Sequence, residues 1–161
     1  MRETAYTIRP MLPGETGLLR ELTRQAIFLP PGCAPPPESI VDREELRVYW
    51  SGFGSRETDL CTAAEAGGRI AGACWTRIME DYGHLDDETP SLAIALFPEY
   101  RGMGIGTALL REHLALMKSR GFRGVSLSVQ KQNYALKLYM ANGFRPVREN
   151  GEELIMLCAL R

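Results

Sequence analysis

Arg101, Gly102, Gly104 and Gly106 follow directly on an alternating apolar run and lead into an amphipathic one. A strand feeding a glycine-rich turn and then a helix N-terminus suits a phosphate. The first backbone N–H groups of a helix lack internal partners, and the helix dipole favours an anion there. Glycine at 102, 104 and 106 removes side chains that would hold a pyrophosphate off the backbone. Arg101 adds a cation with forked donors. The same turn also fits a helix cap made for steric reasons alone. Two phosphate fingerprints are excluded. Leu109 stands where a dinucleotide-binding G-x-G-x-x-G needs its third glycine, and no Gly-Lys-Ser/Thr follows as in a Walker loop.

Other reactive residue types point to less. Cys33, Cys61, Cys74 and Cys158 are scattered without a C-x-x-C pair, and His84 and His113 are the two histidines. No metal site is expected from such a set. Cys74 and Cys158 fall in apolar strand-like runs, where free cysteine behaves as a small hydrophobe. His113 falls near the middle of an apolar helical arc formed by Ile105, Leu109, Leu110, Leu114, Leu116 and Met117. It is read as packed and hydrogen-bonded, not catalytic.

The elements that would position the glycine loop are legible from periodicity. Leu92, Ile94 and Leu96 alternate with Ala93 and Ala95, predicting a strand over 91–97. A helix is predicted over 103–120, stopping at Gly121, and a further strand over 124–129. A short helix over 133–142 is closed by Gly143, a suitable left-handed residue. Strands over 144–149 and 153–160 end the chain. Upstream, a strand at 6–9 ends at Pro10, and a helix is predicted over 14–29 from Leu18, Leu19, Leu22 and Ile27. Five prolines make 30–37 an irregular loop, with a second helix at 42–50 beyond it. Segments 60–66 and 69–79 read as a hairpin turned by Gly67 and Gly68. The strand–helix–strand order of the second half implies a parallel crossover. The expected fold class is α/β, a mixed central sheet with helices on both faces.

Length and composition fit one domain spanning 1–161, with 45% hydrophobic and 24% charged residues. A net charge of -1 and a pI of about 6.2 advertise neither nucleic acid nor an anionic membrane as partner. The first ten residues mix acidic and basic groups without an apolar core, so no signal peptide is expected, and no apolar run is long enough to span a bilayer. The expected location is cytoplasmic.

Taken together, two motifs resemble those of the GCN5-related N-acetyltransferases (GNAT). Arg101-Gly102-Met103-Gly104-Ile105-Gly106 is similar to that family's R/Q-x-x-G-x-G/A loop. Asn133-Tyr134-Ala135-Leu136-Lys137-Leu138-Tyr139, followed by Gly143-Phe144, looks like its second signature. The resemblance covers roughly residues 91–147; the first ninety match in element order only. It implies acetyl-CoA as acetyl donor and a primary amine, of a small molecule or a peptide, as acceptor. It also implies roles. Backbone groups around Leu96 would pair with the pantetheine arm, and amides of Arg101, Gly102, Met103, Gly104, Ile105, Gly106 and Thr107 would hold the pyrophosphate. Asn133 would contact the arm, and Tyr139 would stand near the thioester sulfur. The family spacing is often seven residues between asparagine and tyrosine; here it is six, with Gln132 at the more distant position. A homodimer is common among similar chains.

The chemistry asked of Tyr139 is consistent with its type. A tyrosine with a pKa of about 10 is protonated at neutral pH and can donate to a leaving thiolate. Ala135, one turn earlier on the same face, leaves room above its ring. A core aromatic is the competing reading. Direct attack by a bound amine is favoured over an acetyl-cysteine, since no cysteine neighbours the site in sequence. The general base is left open among Glu80, Asp81, His84, Asp86, Asp87 and Glu88, a loop whose negative charge would favour a cationic acceptor. The alternatives are a non-catalytic coenzyme A sensor or interaction module, and transfer of a longer acyl group or to a hydroxyl.

Overall fold

The computed structural model describes residues 5–160. Residues 1–4, part of the stretch read as lacking a signal peptide, and residue 161 lie outside them. Strands β1 (Thr7–Pro10), β2 (Leu60–Ala66), β3 (Arg69–Arg77), β4 (Ser91–Leu96), β5 (Gly124–Gln130), β6 (Phe144–Asn150) and β7 (Glu153–Ala159) form one sheet. Their spatial order is β1-β2-β3-β4-β5-β7-β6. Every neighbouring pair is antiparallel except β4 and β5, which are the two ends of the expected crossover. The helices are α1 (Leu19–Gln25), α2 (Glu44–Arg47), α3 (Ile105–Ser119) and α4 (Ala135–Ala141).

The alternation in β4 sorts two cores. Leu92, Ile94 and Leu96 pack on the face that carries Ile105, Leu109, Leu110 and Met117 of α3 and Tyr139 of α4. Ala93 and Ala95 face the other way, with Trp75 and with Leu19 and Leu22 of α1. Helices therefore cover both faces, as the sequence pattern implies. Leu19 and Leu22, one turn apart and fully buried, contribute about 1.5–3 kcal/mol each. The hairpin β2–β3 turns on Gly67 and Gly68, both at positive φ (58° and 79°), the pattern a two-residue turn requires.

Two expected helices are shorter than predicted. The segment 14–29 begins as a 3-10 turn (Pro13–Leu18) and is α-helical only over α1. Gly14 and Gly17 lower its helical propensity. The segment 42–50 yields only α2, after a 3-10 turn at Glu38–Asp42. Its continuation is captured by β3. Arg77 Nη1 donates to the carbonyls of Val48 (3.0 Å) and Ser51 (2.9 Å), and Trp75 Nε1 donates to that of Tyr49 (3.0 Å). The chain winds on in turns as far as the Ser51 N–H, which bonds to Arg47 O at 3.0 Å, and carbonyls engaged in this way hold it against the sheet there. Arg77 also forks onto Asp59 (3.1 and 3.0 Å), and both side chains are buried. Removing either partner would leave a buried charge alone, a loss of about 3–5 kcal/mol.

His113 is fully buried between Thr62 Oγ1 (2.8 Å) and Thr76 Oγ1 (2.9 Å), and burial pulls its pKa down to about 3. The neutral ring has one donor and one acceptor, and the two hydroxyls take both. The packed reading holds.

Candidate active site

Parallel β4 and β5 pair at one register position, Ser91 with Ser126, and part beyond it. On its other edge β4 is paired with β3 along its whole length. Phe97 N–H bonds to Ala71 O on β3, whereas Ser126 N–H of β5 bonds to Pro90 O. Because successive residues of a strand direct their polar groups to opposite edges, Ile94 and Leu96 turn theirs into the gap. Arg101 Nε already occupies the Leu96 carbonyl, at 3.1 Å. The Leu96 N–H and both groups of Ile94 remain for a ligand.

Two cavities flank this gap. The first, about 650 Å³, is walled by Leu96, Arg101, Gly102, Gly104, Gly106 and Thr107 among others. The second, about 370 Å³, is walled by Leu92, Leu127, Val129, Tyr49, Trp75 and Tyr82 among others. Ile94, Asn133 and Tyr139 belong to both. The cavities therefore meet where the strands separate.

The glycine loop is built as its composition suggests. Gly102 and Gly104 have φ of +78° and +82°, a region costing other residues roughly 1–2 kcal/mol. Gly104 caps α3, and the Ala108 N–H returns to its carbonyl at 3.2 Å. The N–H groups of Ile105, Gly106 and Thr107 precede that bond and have no partner within the helix. A Cβ on Gly102 or Gly104 would meet no atom within 4 Å, and one on Gly106 only Leu96 Cδ1 at 3.8 Å. Open ground above three glycines and three free amides fits a diphosphate. Two residues of the loop enter with backbone only. The Ile105 side chain is fully buried in the core, and Met103 is half exposed and off the cavity wall. The Arg101 guanidinium is a clamp as well as a cation. Besides Leu96 it reaches Gln25 O (3.2 Å) and Oε1 (3.1 Å), tying β4 to α1.

Asn133 and Tyr139 stand across the gap from β4. Asn133 Oδ1 accepts the Ala135 N–H at 2.9 Å, starting α4 and leaving the side-chain amide N–H groups unused. Tyr139 is 9% exposed and packs edge-on against Phe144, with ring centroids 5.8 Å apart. Its hydroxyl makes no hydrogen bond among the described residues, which leave no buried polar side-chain atom unpaired. Desolvation raises its pKa, so the phenol is protonated across the physiological range.

Of the six candidate bases, Asp81 alone is drawn inward and tied to the site. Its Oδ2 accepts the Tyr49 hydroxyl at 2.8 Å and its Oδ1 the Ser91 hydroxyl at 2.7 Å. Burial raises its pKa. Glu80 and Glu88 are exposed, and His84 Nδ1 is taken by Met79 O (2.8 Å). Asp86 accepts the Glu88 N–H (2.8 Å), which lowers its pKa, and Asp87 is 91% exposed. None of these five reaches the smaller cavity; its carboxylates are Glu45 and Glu153, beside Arg43. Sequence reading missed Tyr49, Tyr82, Glu45 and Glu153. Glu153 becomes findable only once β7 is known to lie against β5, which sets it opposite Gln130. Among the described residues no cysteine lines either cavity, no His, Cys, Asp and Glu cluster could hold a metal, and no helix is long and apolar enough to cross a membrane.

Residues 24–144 match the model of the Acetyltransferase (GNAT) family. The chain belongs to that family. Among its relatives, a mycothiol acetyltransferase of Thermobifida fusca is 35% identical over 81 residues, 48% of this chain and 25% of the relative. A Bacillus subtilis protein with the provisional name ribosomal protein bS18-alanine N-acetyltransferase is 32% identical over 101 residues, 58% of this chain and 63% of the relative. The matches thus span a quarter of one relative and under two thirds of the other. The PaiA N-acetyltransferase of Thermoplasma acidophilum in complex with coenzyme A superposes with a TM-score of 0.69 at 22% identity, over 96% of this chain and 99% of that one. The ribosomal-protein-S18-alanine N-acetyltransferase of Escherichia coli gives 0.67 at 19%, over 97% and 94%. At these identities the two structures establish the GNAT fold.

Proposed function

We propose that this chain transfers an acetyl group from acetyl-CoA to a primary amine by direct attack. The observation that carries the reading is the meeting of two cavities at Tyr139, one fronted by the glycine loop and one closed by aromatic and acidic residues. Acetyl-CoA, when bound, would supply an activated acyl carbon and, as leaving group, the coenzyme A thiol. The free amides of Ile105, Gly106 and Thr107 would hold its diphosphate, with Arg101 adding positive charge. Ile94 and the Leu96 N–H would pair with the amide-bearing arm as a further strand, and Asn133 would donate from the opposite wall.

Tyr139 then acts as general acid. It gives its phenolic proton to the departing sulfur and regains one from the newly acylated nitrogen. Burial raises its pKa, but burial raises that of a thiol in the same cavity too, so donation stays feasible. Such an acid contributes roughly 10²–10⁴-fold. The absence of cysteine from both cavity walls supports attack without an acetyl-cysteine. The Bacillus subtilis relative is named for an alanine amino group, which makes an alanine-initiated peptide a first acceptor to try.

Calorimetry with coenzyme A, followed by thiol release from acetyl-CoA across a panel of amines, tests the proposal. Binding together with amine-dependent release is expected. Tight binding without release on any amine would favour a coenzyme A sensor instead.

A further inference from the structure

The acceptor amine reaches an acetyltransferase mainly as an ammonium ion, and an ammonium cannot attack. A proton must leave it before the new bond forms, and Tyr139 is already protonated. The β4 strand offers no carboxylate, so the proton needs another exit.

The smaller cavity contains one. Tyr49 lines its wall, and the Tyr49 hydroxyl donates to Asp81 Oδ2 at 2.8 Å. Asp81 itself is not on that wall, and its other oxygen accepts the Ser91 hydroxyl at 2.7 Å. Ser91 is the residue at which β4 and β5 still pair, so the network sits at the apex of the gap. The loop carrying Asp81 is pressed onto β5: Ser126 Oγ donates to Gly83 O at 2.7 Å, and a Cβ on Gly83 would fall 3.0 Å from Ser128 N. Asp81 is therefore fixed in place rather than carried on a solvated loop.

We propose that Tyr49 and Asp81 form the proton exit of the acceptor site. The ammonium nitrogen gives a proton to Tyr49 Oη, and Tyr49 passes its own hydroxyl proton to Asp81 Oδ2. The nitrogen is left neutral with its lone pair, Tyr49 is again a phenol, and Asp81 is a carboxylic acid that later releases the proton to water. Charge balances, because one cation and one carboxylate become two neutral groups. Tyr49 touches the acceptor; Asp81 acts through it as a positioning residue. This inference rests on the acyl-transfer reading above.

The charged surroundings agree with that assignment. Burial raises the pKa of both Tyr49 and Asp81, which favours a neutral pair after transfer. Tyr82 and His84 lie on the same loop as Asp81. Glu153 of β7 adds negative potential at Tyr49 and Tyr82; Glu45 of α2 adds it at Tyr82, where Arg43 opposes it. His84 is held by Met79 O and stands beside Asp87 at 3.5 Å, on the solvent side.

The test is the pH profile of kcat/KM with an alanine-initiated peptide and, separately, spermidine, for the wild type, Asp81→Asn and Tyr49→Phe. Asparagine keeps an acceptor for Ser91 and cannot take the proton. The variant must then wait for amine that is already neutral. Its kcat/KM should fall about tenfold near pH 7 with the peptide, whose amino group has a pKa of about 8, and by more with the more basic spermidine, and recover about tenfold per pH unit toward the pKa of each amine. Tyr49→Phe should show the same profile, and the double variant should lose no more than either single one. Affinity for coenzyme A should be unchanged in all three, which separates lost proton transfer from lost folding. A uniform loss at every pH, or no loss, would overturn the exit. Wild type that releases no thiol with either amine would overturn the acyl-transfer reading itself, and the exit with it.

Discussion

Ser91 and Ser126 face each other across the single register pair of β4 and β5, and both hydroxyls hold the same loop, through Asp81 Oδ1 and Gly83 O. The point where the sheet opens is thus also where the β3–β4 connection is pinned. Gly83 makes that contact possible, since an added Cβ would lie 3.0 Å from Leu127 C and Ser128 N. Gly83→Ala should destabilise the fold by about 1–3 kcal/mol, read by urea unfolding. Unchanged stability would mean that the loop does not press on β5.

Two glycines of the turn should respond differently to the same substitution. Gly106 has no positive φ and open space beside it, so Gly106→Val should fold normally and weaken coenzyme A binding by about tenfold or more. Gly104 has φ +82°, so Gly104→Val should lose binding and also about 1–2 kcal/mol of stability. Calorimetry and thermal melts on both variants decide. Equal affinity for wild type and Gly106→Val would remove the diphosphate from this loop.

His113 gives the protein an acid sensitivity with a definite sign. Its folded pKa is about 3 against 6.5 for a free side chain, so between these values the unfolded chain binds a proton that the folded one refuses. The stability is whole above pH 6.5 and drains as pH falls, by up to about 1.4 kcal/mol per unit. Asp81, with its pKa raised by burial, works in the opposite sense. Urea unfolding of wild type near pH 6 should therefore lose stability with acid, and His113→Gln should flatten that slope. The same slope in both proteins would assign the effect elsewhere.

Acceptor charge should be read at Glu45 and Glu153. They line the smaller cavity, whereas Asp86, Asp87 and Glu88 do not. Neutralising the first pair should raise KM for spermidine more than for a monoamine, and more so at low salt, since exposed charges are screened beyond about 8–10 Å at physiological ionic strength. Neutralising the loop trio should change little. The reverse pattern would return recognition to the loop.

Most of the scaffold was legible because local rules decide it. The alternation of Leu92 to Leu96, the apolar arc of α3 with His113 buried in it, and the glycine turns at Gly67 and Gly143 are all set by near neighbours in the chain. The rest depends on distant partners. Residues 48–51 lie against the sheet because Arg77 and Trp75 hold their carbonyls, and nothing in residues 42–50 announces that. Strand β7 inserts between β5 and β6, which puts Glu153 opposite Gln130 and into the cavity. The candidate site divides in the same way. The glycine loop and Tyr139 are motif residues, while Tyr49 and the burial of Asp81 come from a hydrogen bond spanning thirty-two positions.

The most direct test of acyl transfer in this gap is the rate of thiol release from saturating acetyl-CoA by wild type and Tyr139→Phe, with the same alanine-initiated peptide. Phenylalanine keeps the ring that packs on Phe144 and removes only the proton. The account requires kcat to fall roughly 10²-fold or more. Equal rates from the two proteins, or no release from either, would contradict it.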